Sequence, residues 1–287
     1  MVNKTLQIAI VKKFIPPRMA NSRKGDNGIV LVVGGSYIYH GAPILSSVAA
    51  LRSGTDLVYT AVPKINVQAT RAISPNLIVI PLVDQKLTRG VVRKLLGIIP
   101  KNLDSATIGM GLAVADREAL KILVNSLINS DVRVSLDASA LVKDVLPLLA
   151  NTNSVVTPHA GEFERLFGEL PPLDVKKRIT LVEKHAKKNS VTVLLKGPTD
   201  VISDGKTTYL NPKKIPSMTV GGTGDVLSGI VAGILSKNRN SLESAAASAY
   251  INSLAGKSVQ KKFGLHITSA DLLDAIPTAM KQFDKIK

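Results

Sequence analysis

The segment Ile29-Val30-Leu31-Val32-Val33 is an uninterrupted apolar run, with Gly28 before it and Gly34 after it. Such a run predicts a strand buried on both faces of a parallel sheet, because a strand with one face in water alternates apolar and polar residues. Six more apolar runs of this kind follow along the chain, at residues 57–62, 77–82, 107–110, 132–136, 154–157 and 191–195. The sequence therefore predicts a sheet of mostly parallel strands.

Helical periodicity separates these predicted strands. Leu120, Leu123, Val124, Leu127 and Ile128 recur at the spacing of one helix face. Similar periods predict helices at residues 6–14, 42–53, 91–98, 141–149 and 179–186. Because strands and helices alternate, we expect an α/β fold of three layers, with helices covering both faces of the sheet.

The pattern changes after Lys196. Residues 201–203 and 207–210 predict a hairpin with a two-residue turn at Asp204-Gly205, and hence an antiparallel edge of the sheet. Beyond Gly221 the chain is mostly helical, at residues 226–235, 242–255 and 269–280. No internal repeat or Pro/Gly linker divides the sequence, so we predict a single domain over residues 1–287.

The charge balance points to an anionic partner. The chain has 37 Lys and Arg against 21 Asp and Glu, a formal net charge of +16. That excess suits a nucleic acid, a membrane surface or a phosphorylated small molecule. Aromatic residues make up only 3% of the sequence, which disfavours binding of single-stranded nucleic acid because such proteins stack bases on aromatic rings.

Other classes of protein are disfavoured by composition. The chain has no Cys, which excludes disulfides, thiolate nucleophiles and cysteine metal sites. Its longest apolar run, residues 77–83, is far shorter than the roughly 20 residues of a membrane-spanning helix. The first residues lack the features of a secretory signal. We therefore expect a cytoplasmic protein that does not associate with a membrane.

The sequence Gly221-Gly222-Thr223-Gly224-Asp225 precedes an apolar helix. Glycines at this place let the backbone approach a ligand, and the free N–H groups at a helix N-terminus attract anions. Asp225 would then accept a proton from a hydroxyl near a phosphoryl group. The alternative is a glycine-rich turn in which Asp225 is an ordinary N-cap. The pattern matches neither a Walker A motif nor a dinucleotide-binding fingerprint.

Five segments together resemble the ADP/ATP-dependent NAD(P)H-hydrate dehydratases of the ribokinase-like superfamily. They are VVGGSYIYHGAPILSSVAALRSG (32–54), GMGL (109–112), TPHAGEFERLFG (157–168), LLKGPTDVISDG (194–205) and GGTGDVLSGIVAGIL (221–235). The resemblance implies a ribokinase-like fold and repair of NADHX and NADPHX, the C6-hydrated forms of NADH and NADPH. It also implies ADP or ATP as co-substrate, Mg²⁺ as cofactor and a homo-oligomer, which we expect to be a tetramer. ADP is the expected nucleotide.

The implied chemistry begins with phosphorylation of the C6 hydroxyl, because hydroxide is a poor leaving group and phosphate a good one. Asp225 would deprotonate this hydroxyl, and the amides of Gly222, Thr223 and Gly224 would stabilise the transferring phosphoryl group. Relatives that also carry an epimerase have a further N-terminal domain. About 25 residues precede the first predicted strand here, so we expect the dehydratase activity alone.

The resemblance assigns the nucleotide to the loop after the strand at 191–195 and to Gly224. This loop consists of Lys196, Gly197, Pro198, Thr199 and Asp200. Lys196 would place positive charge near phosphate, and Thr199 would supply hydrogen bonds. The alternative for this segment is a surface turn built around Pro198.

Ala42, Gly111 and His159, together with Asp225, are assigned by the resemblance to the hydrated dinucleotide. Glu162 would hold Mg²⁺ through water, since carboxylate oxygens suit this ion. Asp137 is a second candidate for such a contact. The alternatives are structural: His159 satisfied within the fold, Glu162 favouring the first turn of a helix, and Asp137 capping one.

The stretch 211–220 departs from the family pattern, so no nucleotide contact is assigned to it. Two other functions stay open on the sequence alone. A ribokinase-like kinase for a sugar or vitamin alcohol would share the Asp225 base but release a stable phosphorylated product. A basic nucleotide- or nucleic-acid-binding module would explain the charge without any turnover.

Overall fold

The computed structural model describes residues 2–287. Within them the chain forms one sheet of ten strands in the order β1-β10-β9-β8-β7-β6-β5-β2-β3-β4. The strands are β1 Val2–Thr5, β2 Ile29–Val33, β3 Leu57–Pro63, β4 Ile78–Leu82, β5 Ser105–Ile108, β6 Arg133–Leu136, β7 Val155–Val156, β8 Thr192–Leu195, β9 Thr199–Ser203 and β10 Thr207–Pro212. All neighbours are parallel except β8–β9 and β9–β10, which confirms the predicted mostly parallel α/β sheet with an antiparallel edge.

Helices cover both faces of the sheet. They are α1 Ile8–Phe14, α2 Gly41–Arg52, α3 Val67–Ile73, α4 Arg89–Ile98, α5 Arg117–Asn129, α6 Leu146–Leu149, α7 Ala160–Phe167, α8 Val175–Asn189, α9 Thr223–Leu235, α10 Ser241–Phe263 and α11 Ser269–Lys281. In the part of the chain from residue 2 onward, no helix is both long and apolar enough to cross a membrane.

The continuous apolar sequence of β2 follows from burial on both sides. All five of its residues are buried. Leu31 packs in one core with residues of α4 and α5, whereas Val30 and Val32 face the other layer and pack with Ala50 of α2 and Ala232 of α9. Because successive side chains of a strand point to opposite faces, each of these residues needs to be apolar, and burying each one stabilises the fold by about 1.5–3 kcal/mol.

Several predicted boundaries were wrong. Strand β5 begins at Ser105 and ends at Ile108, so Met110 lies in the following turn rather than in the strand. The helix predicted at 141–149 is reduced to short 3₁₀ segments and the four-residue α6. Pro147 lies in the first turn of α6, because an earlier helical start would require the N–H that proline lacks.

The predicted hairpin is present, but its loop is longer than the two residues expected. Residues 204–206 separate β9 from β10. Asp204 Oδ1 accepts hydrogen bonds from the N–H groups of Lys206 and Thr207, which closes this longer turn. Strand β1, which the sequence analysis missed, pairs in parallel with β10 at the outer edge. Its sequence, VNKT, is too polar and too short to be recognised as a strand.

The parallel strands bring their carboxyl ends to one edge of the sheet. Gly34 follows β2, Gly109 follows β5, Asp137 follows β6, Thr157 follows β7, and Lys196 follows β8. Open α/β sheets bind ligands at this edge. Four of the five segments that carry the family resemblance therefore converge there, although they are separated by up to about 160 residues of sequence.

Candidate active site

The N-terminus of α9 forms one wall of the site. Gly222 is its N-cap and has a left-handed backbone, with φ of +93°. A Cβ atom here would lie 2.5 Å from Ser269 Oγ and 2.8 Å from Leu45 Cδ1, so only glycine fits. Asp225 is the third residue of the helix, and the alternative that it is the N-cap is therefore wrong. The first N–H groups of α9 are left without partners in the helix and favour an anion.

A cavity of about 690 Å³ opens at this helix terminus. Several predicted site residues line it: His159, Lys196, Gly197, Pro198, Gly222, Thr223 and Gly224. A Cβ atom on Gly224 would lie 3.5 Å from Lys196 Nζ, so the ammonium group is adjacent to the start of α9. The cavity therefore offers free N–H groups and a cation on the same side, which is a suitable environment for phosphate oxygens.

Lys196 forms ion pairs with two buried carboxylates, Asp137 and Glu162. Its Nζ lies 2.8 Å from Asp137 Oδ1 and 3.5 Å from Glu162 Oε2. The other oxygen of Asp137 accepts a 2.5 Å hydrogen bond from Ser228 Oγ. Burial alone would raise the pKa of Asp137, but the charge of Lys196 and these hydrogen bonds hold the pKa below its usual value. Asp137 thus anchors Lys196, and its side chain makes no capping hydrogen bond.

Asp225 is half-buried beside this cluster. Burial, together with the nearby charge of Asp137, raises the pKa of Asp225 to about 7, although Lys196 opposes the shift. A carboxyl group with a pKa near the working pH can both hold and release a proton, which is the property a general base needs. The backbone carbonyl of Asp225 accepts a 2.6 Å hydrogen bond from Ser46 Oγ of α2, which ties the start of α9 to that helix.

Ala42 lies one helical turn before Ser46 on α2, next to Gly111. Gly111 has φ of +66°, and a Cβ atom there would lie 2.8 Å from Tyr39 Cβ and 3.2 Å from Ala42 Cβ. The structure therefore brings Ala42 and Gly111 together on the α2 side of Asp225. Ala42, Gly111 and Asp225 all lie outside the lining of the 690 Å³ cavity, and Asp225 is linked to α2 through Ser46.

His159 and Glu162 form the N-terminal cap of α7. His159 Nδ1 accepts hydrogen bonds from the N–H groups of Gly161 and Glu162, and Glu162 Oε2 accepts one from His159 N at 2.8 Å. His159 is therefore satisfied within the fold and Glu162 stabilises the first turn of α7, as the structural alternatives for these residues stated. His159 still faces the cavity, because its side chain is 61% exposed and lines the opening.

The carboxylates present suit a magnesium ion held mainly by phosphate. Between residues 2 and 287, no cluster of three or more His, Asp or Glu side chains is arranged to hold a metal ion. Glu162 is engaged by its own helix cap and by Lys196. Mg²⁺ keeps several waters and needs only one or two carboxylates when phosphate supplies the other ligands, so Glu162 fits a contact through water.

The loop 196–200 divides into two parts. Lys196, Gly197 and Pro198 line the cavity, whereas Thr199 and Asp200 do not. Asp200 is fully buried, and its Oδ1 accepts a 3.1 Å hydrogen bond from Gly197 N. Lys213 Nζ lies 2.6 Å from the same oxygen. Asp200 therefore holds the loop in place from outside the cavity lining.

The sequence analysis missed the opposite wall of the cavity. Residues 213–216 and 218–220, in the stretch to which no contact was assigned, line it together with Leu227 and Asn252. The departure of this stretch from the family pattern concealed its position. The adjacent basic pair Lys213-Lys214 and the asparagine Asn252 in the middle of an alanine-rich helix were the available signals.

Known proteins resemble this chain in sequence and in fold. A family model described as NAD(P)H-hydrate dehydratase matches residues 30–278. The ADP-dependent (S)-NAD(P)H-hydrate dehydratase of Nitrosopumilus maritimus is 73% identical over 286 residues, covering 100% of both chains. The protein of the same name from Cenarchaeum symbiosum is 66% identical over 277 residues, covering 96% of both chains. The crystal structure of the ADP/ATP-dependent NAD(P)H-hydrate dehydratase of Bacillus subtilis, co-crystallised with ATP/Mg²⁺, superposes with a TM-score of 0.83 at 25% identity, covering 98% of this chain and 99% of that one.

Proposed function

The chain belongs to the NAD(P)H-hydrate dehydratase family, and from this premise we propose that it is an ADP-dependent (S)-NAD(P)H-hydrate dehydratase that restores NADHX and NADPHX to NADH and NADPH. One observation carries the assignment to this site. Asp225, whose pKa burial raises to about 7, is in the first turn of α9 directly after the cavity-lining Gly224, and its backbone carbonyl is bonded to Ser46, one helical turn from Ala42 on α2. A base in that position can act on a hydroxyl on one side while a phosphoryl group lies on the other.

The nucleotide occupies the 690 Å³ cavity in this proposal. Its phosphates meet the free N–H groups of Thr223 and Gly224 and the ammonium group of Lys196. Gly197 and Pro198 line the same cavity, Asp200 holds their loop through Gly197 N, and Thr199 begins β9 outside the cavity lining. The hydrated nicotinamide ring approaches from the side of Ala42 and Gly111, and His159 contacts it from the cavity that His159 lines.

Asp225 takes the proton from the C6 hydroxyl of the hydrate. The hydroxyl oxygen then forms a bond to the terminal phosphorus of ADP, and AMP leaves with the electrons of the broken phosphorus–oxygen bond. The lone pair of the ring nitrogen next expels phosphate from C6. Loss of the proton at C5 restores the C5–C6 double bond of the reduced nicotinamide.

The electrostatics of the site support a role for Mg²⁺. The cluster formed by Asp137, Glu162, Asp225 and Lys196 carries a formal charge of −2 when all four groups are ionised. A bound Mg²⁺ ion supplies positive charge that offsets this excess and the charge of the phosphate oxygens. Glu162 is the side chain that we assign to it, through water.

We also infer a homo-oligomer in the cytoplasm, with a tetramer as the specific expectation. The exposed apolar residues Tyr37, Ile38 and Tyr39, each more than 60% exposed, support an association surface next to Gly111. Light scattering on a size-exclusion column measures the assembly directly, and a monomer at micromolar concentration would contradict this inference.

The experiment for the activity mixes the protein with NADHX, Mg²⁺ and either ADP or ATP. Recovery of the absorbance of reduced nicotinamide, with AMP and phosphate formed in equal amounts from ADP, is the expected result. No recovery with either nucleotide would contradict the proposal. Accumulation of a stable phosphorylated alcohol from a sugar or vitamin, in place of recovery, would identify a small-molecule kinase instead.

A further inference from the structure

Asn252 is a buried polar residue without a complete set of hydrogen bonds. It lies in the middle of α10 and is 4% exposed, yet it lines the 690 Å³ cavity. Its Oδ1 is buried and has no hydrogen-bond partner in the described chain. Buried side-chain polar atoms nearly always have such a partner, so an unpaired one at a cavity wall indicates a ligand that supplies it.

The polar residues next to Asn252 show that this part of α10 is otherwise well satisfied. Ser253 Oγ donates to Ala249 O, and Asn211 Nδ2 donates to Ser253 Oγ. Asn211 is also bonded to the buried Asp200. The unpaired amide is therefore not the result of a loosely packed region, because the neighbouring side chain is held by two hydrogen bonds.

The cavity beside the glycine loop, residues 221–224, has both polar and apolar lining. Lys196, Lys213, Lys214 and the start of α9 contribute polar groups, whereas Ile215, Met218 and Leu227 contribute apolar lining. Met218 packs against α10 at Gly256, one helical turn beyond Asn252. A flat apolar group with a polar edge would be accommodated there, which is the shape and chemistry of a nucleobase.

We propose that Asn252 recognises the adenine ring of the nucleotide through the edge that carries N6 and N7. In this arrangement the Asn252 side chain turns toward the cavity, so that Oδ1, which is buried in the unliganded structure, accepts a hydrogen bond from the N6 amino group and Nδ2 donates to N7. Guanine and hypoxanthine present two acceptors on that edge, O6 and N7, so the amide oxygen faces an acceptor in either orientation of the amide. This inference rests on the proposed function only in that a nucleotide occupies the cavity.

Binding of three nucleoside diphosphates tests the two proposed hydrogen bonds one at a time. ADP has both partners, IDP replaces the N6 amino group by a carbonyl oxygen, and 7-deaza-ADP replaces N7 by a C–H group. Calorimetric titration of the wild-type protein should give a dissociation constant for ADP about 10- to 100-fold lower than for either analogue. Asn252→Leu should bind all three with similar, weaker affinity.

Asn252→Asp tests the geometry with minimal change of shape. The carboxylate still accepts a hydrogen bond from N6 but has no donor for N7. The preference for ADP over IDP should therefore persist, whereas the preference for ADP over 7-deaza-ADP should disappear. Asn125→Leu is the matched control, because Asn125 is exposed on α5 and does not line the cavity. It should keep the wild-type affinities for all three nucleotides.

Thermal unfolding without ligand distinguishes recognition from a structural role. Asn252→Leu removes an unpaired buried polar atom, so its Tm should equal or exceed that of the wild type. A lower Tm together with an unchanged preference for ADP would overturn the inference. Equal wild-type affinity for the three nucleotides would overturn it too while leaving the proposed function intact, whereas absence of both ADP binding and turnover would refute the proposed function itself.

Discussion

Replacing Asp225 with Asn should abolish turnover and at the same time stabilise the protein at alkaline pH. The pKa of Asp225 is raised from 3.8 to about 7, first by burial and then by the charge of Asp137. Each pKa unit corresponds to about 1.36 kcal/mol, so the ionised side chain destabilises the folded state by up to about 4 kcal/mol. Because Asp225 is only half-buried, solvent screening reduces this figure, and we expect about 2–4 kcal/mol at pH 8.

The sign of the effect follows from the number of bound protons. Between the unfolded pKa of 3.8 and the folded pKa of about 7, the folded state holds the proton that the unfolded state has lost. The contribution of Asp225 to stability is therefore lost as the pH rises through this window. Asparagine cannot ionise, so the free energy of unfolding of the variant should equal that of the wild type near pH 3.8. The difference in favour of the variant should then increase steadily up to about pH 7.

Urea unfolding of the wild type and of Asp225→Asn at several values between pH 4.5 and 8 measures this difference, with the exposed Asp274→Asn as the control. The kcat/KM of the wild type should also rise with pH through an apparent pKa near 7, because Asp225 acts as base only when ionised. A stability difference that does not change with pH would refute the raised pKa. Retention of most activity by Asp225→Asn would refute its role as the base.

Three further changes test the rest of the site. Lys196→Met should destabilise the protein by about 3–5 kcal/mol in thermal unfolding, because it leaves the buried carboxylate of Asp137 without its cation. The same variant should bind ADP more weakly in calorimetric titration. Asp137→Asn should move the acidic limb of the pH–rate profile to lower pH, since the charge of Asp137 raises the pKa of Asp225; an unshifted limb would contradict that coupling. Gly111→Ala should raise KM for the hydrate at unchanged ADP affinity, whereas Gly90→Ala, where a Cβ atom meets open space, should leave both constants unaltered.

Much of the fold was predictable because burial dictates residue type. The apolar run of β2 and the stripe at residues 120–128 have no other arrangement that removes them from water, and both elements were placed within a few residues of their observed limits. Strand β1 was missed because its stability depends on pairing with β10, about 205 residues away, and its own side chains carry no apolar pattern. The reduced helix at 141–149 reflects Pro147, whose local effect outweighs the apolar period around it.

The site was predictable only in part. The glycine loop and Lys196 are recognisable because close approach to phosphate restricts the residues that are acceptable there. Asp200 was assigned to the nucleotide, yet it is fully buried behind the loop. Whether a residue in a loop faces inward or outward depends on partners elsewhere in the chain, here Asn211 and Lys213, and sequence spacing carries no information about them.

The α/β class, the glycine loop before α9 and the family resemblance can be recognised in the amino-acid sequence, since these depend on local conformational and hydrophobic constraints. The position of Lys196 between Asp137 and Glu162, and the rise of the Asp225 pKa to about 7, follow from the folded arrangement of the chain. The folded arrangement also places Asn252 in the cavity wall. Electrostatic energies and burial depend on distances between groups from different strands and helices, and those distances exist only once the sheet has formed.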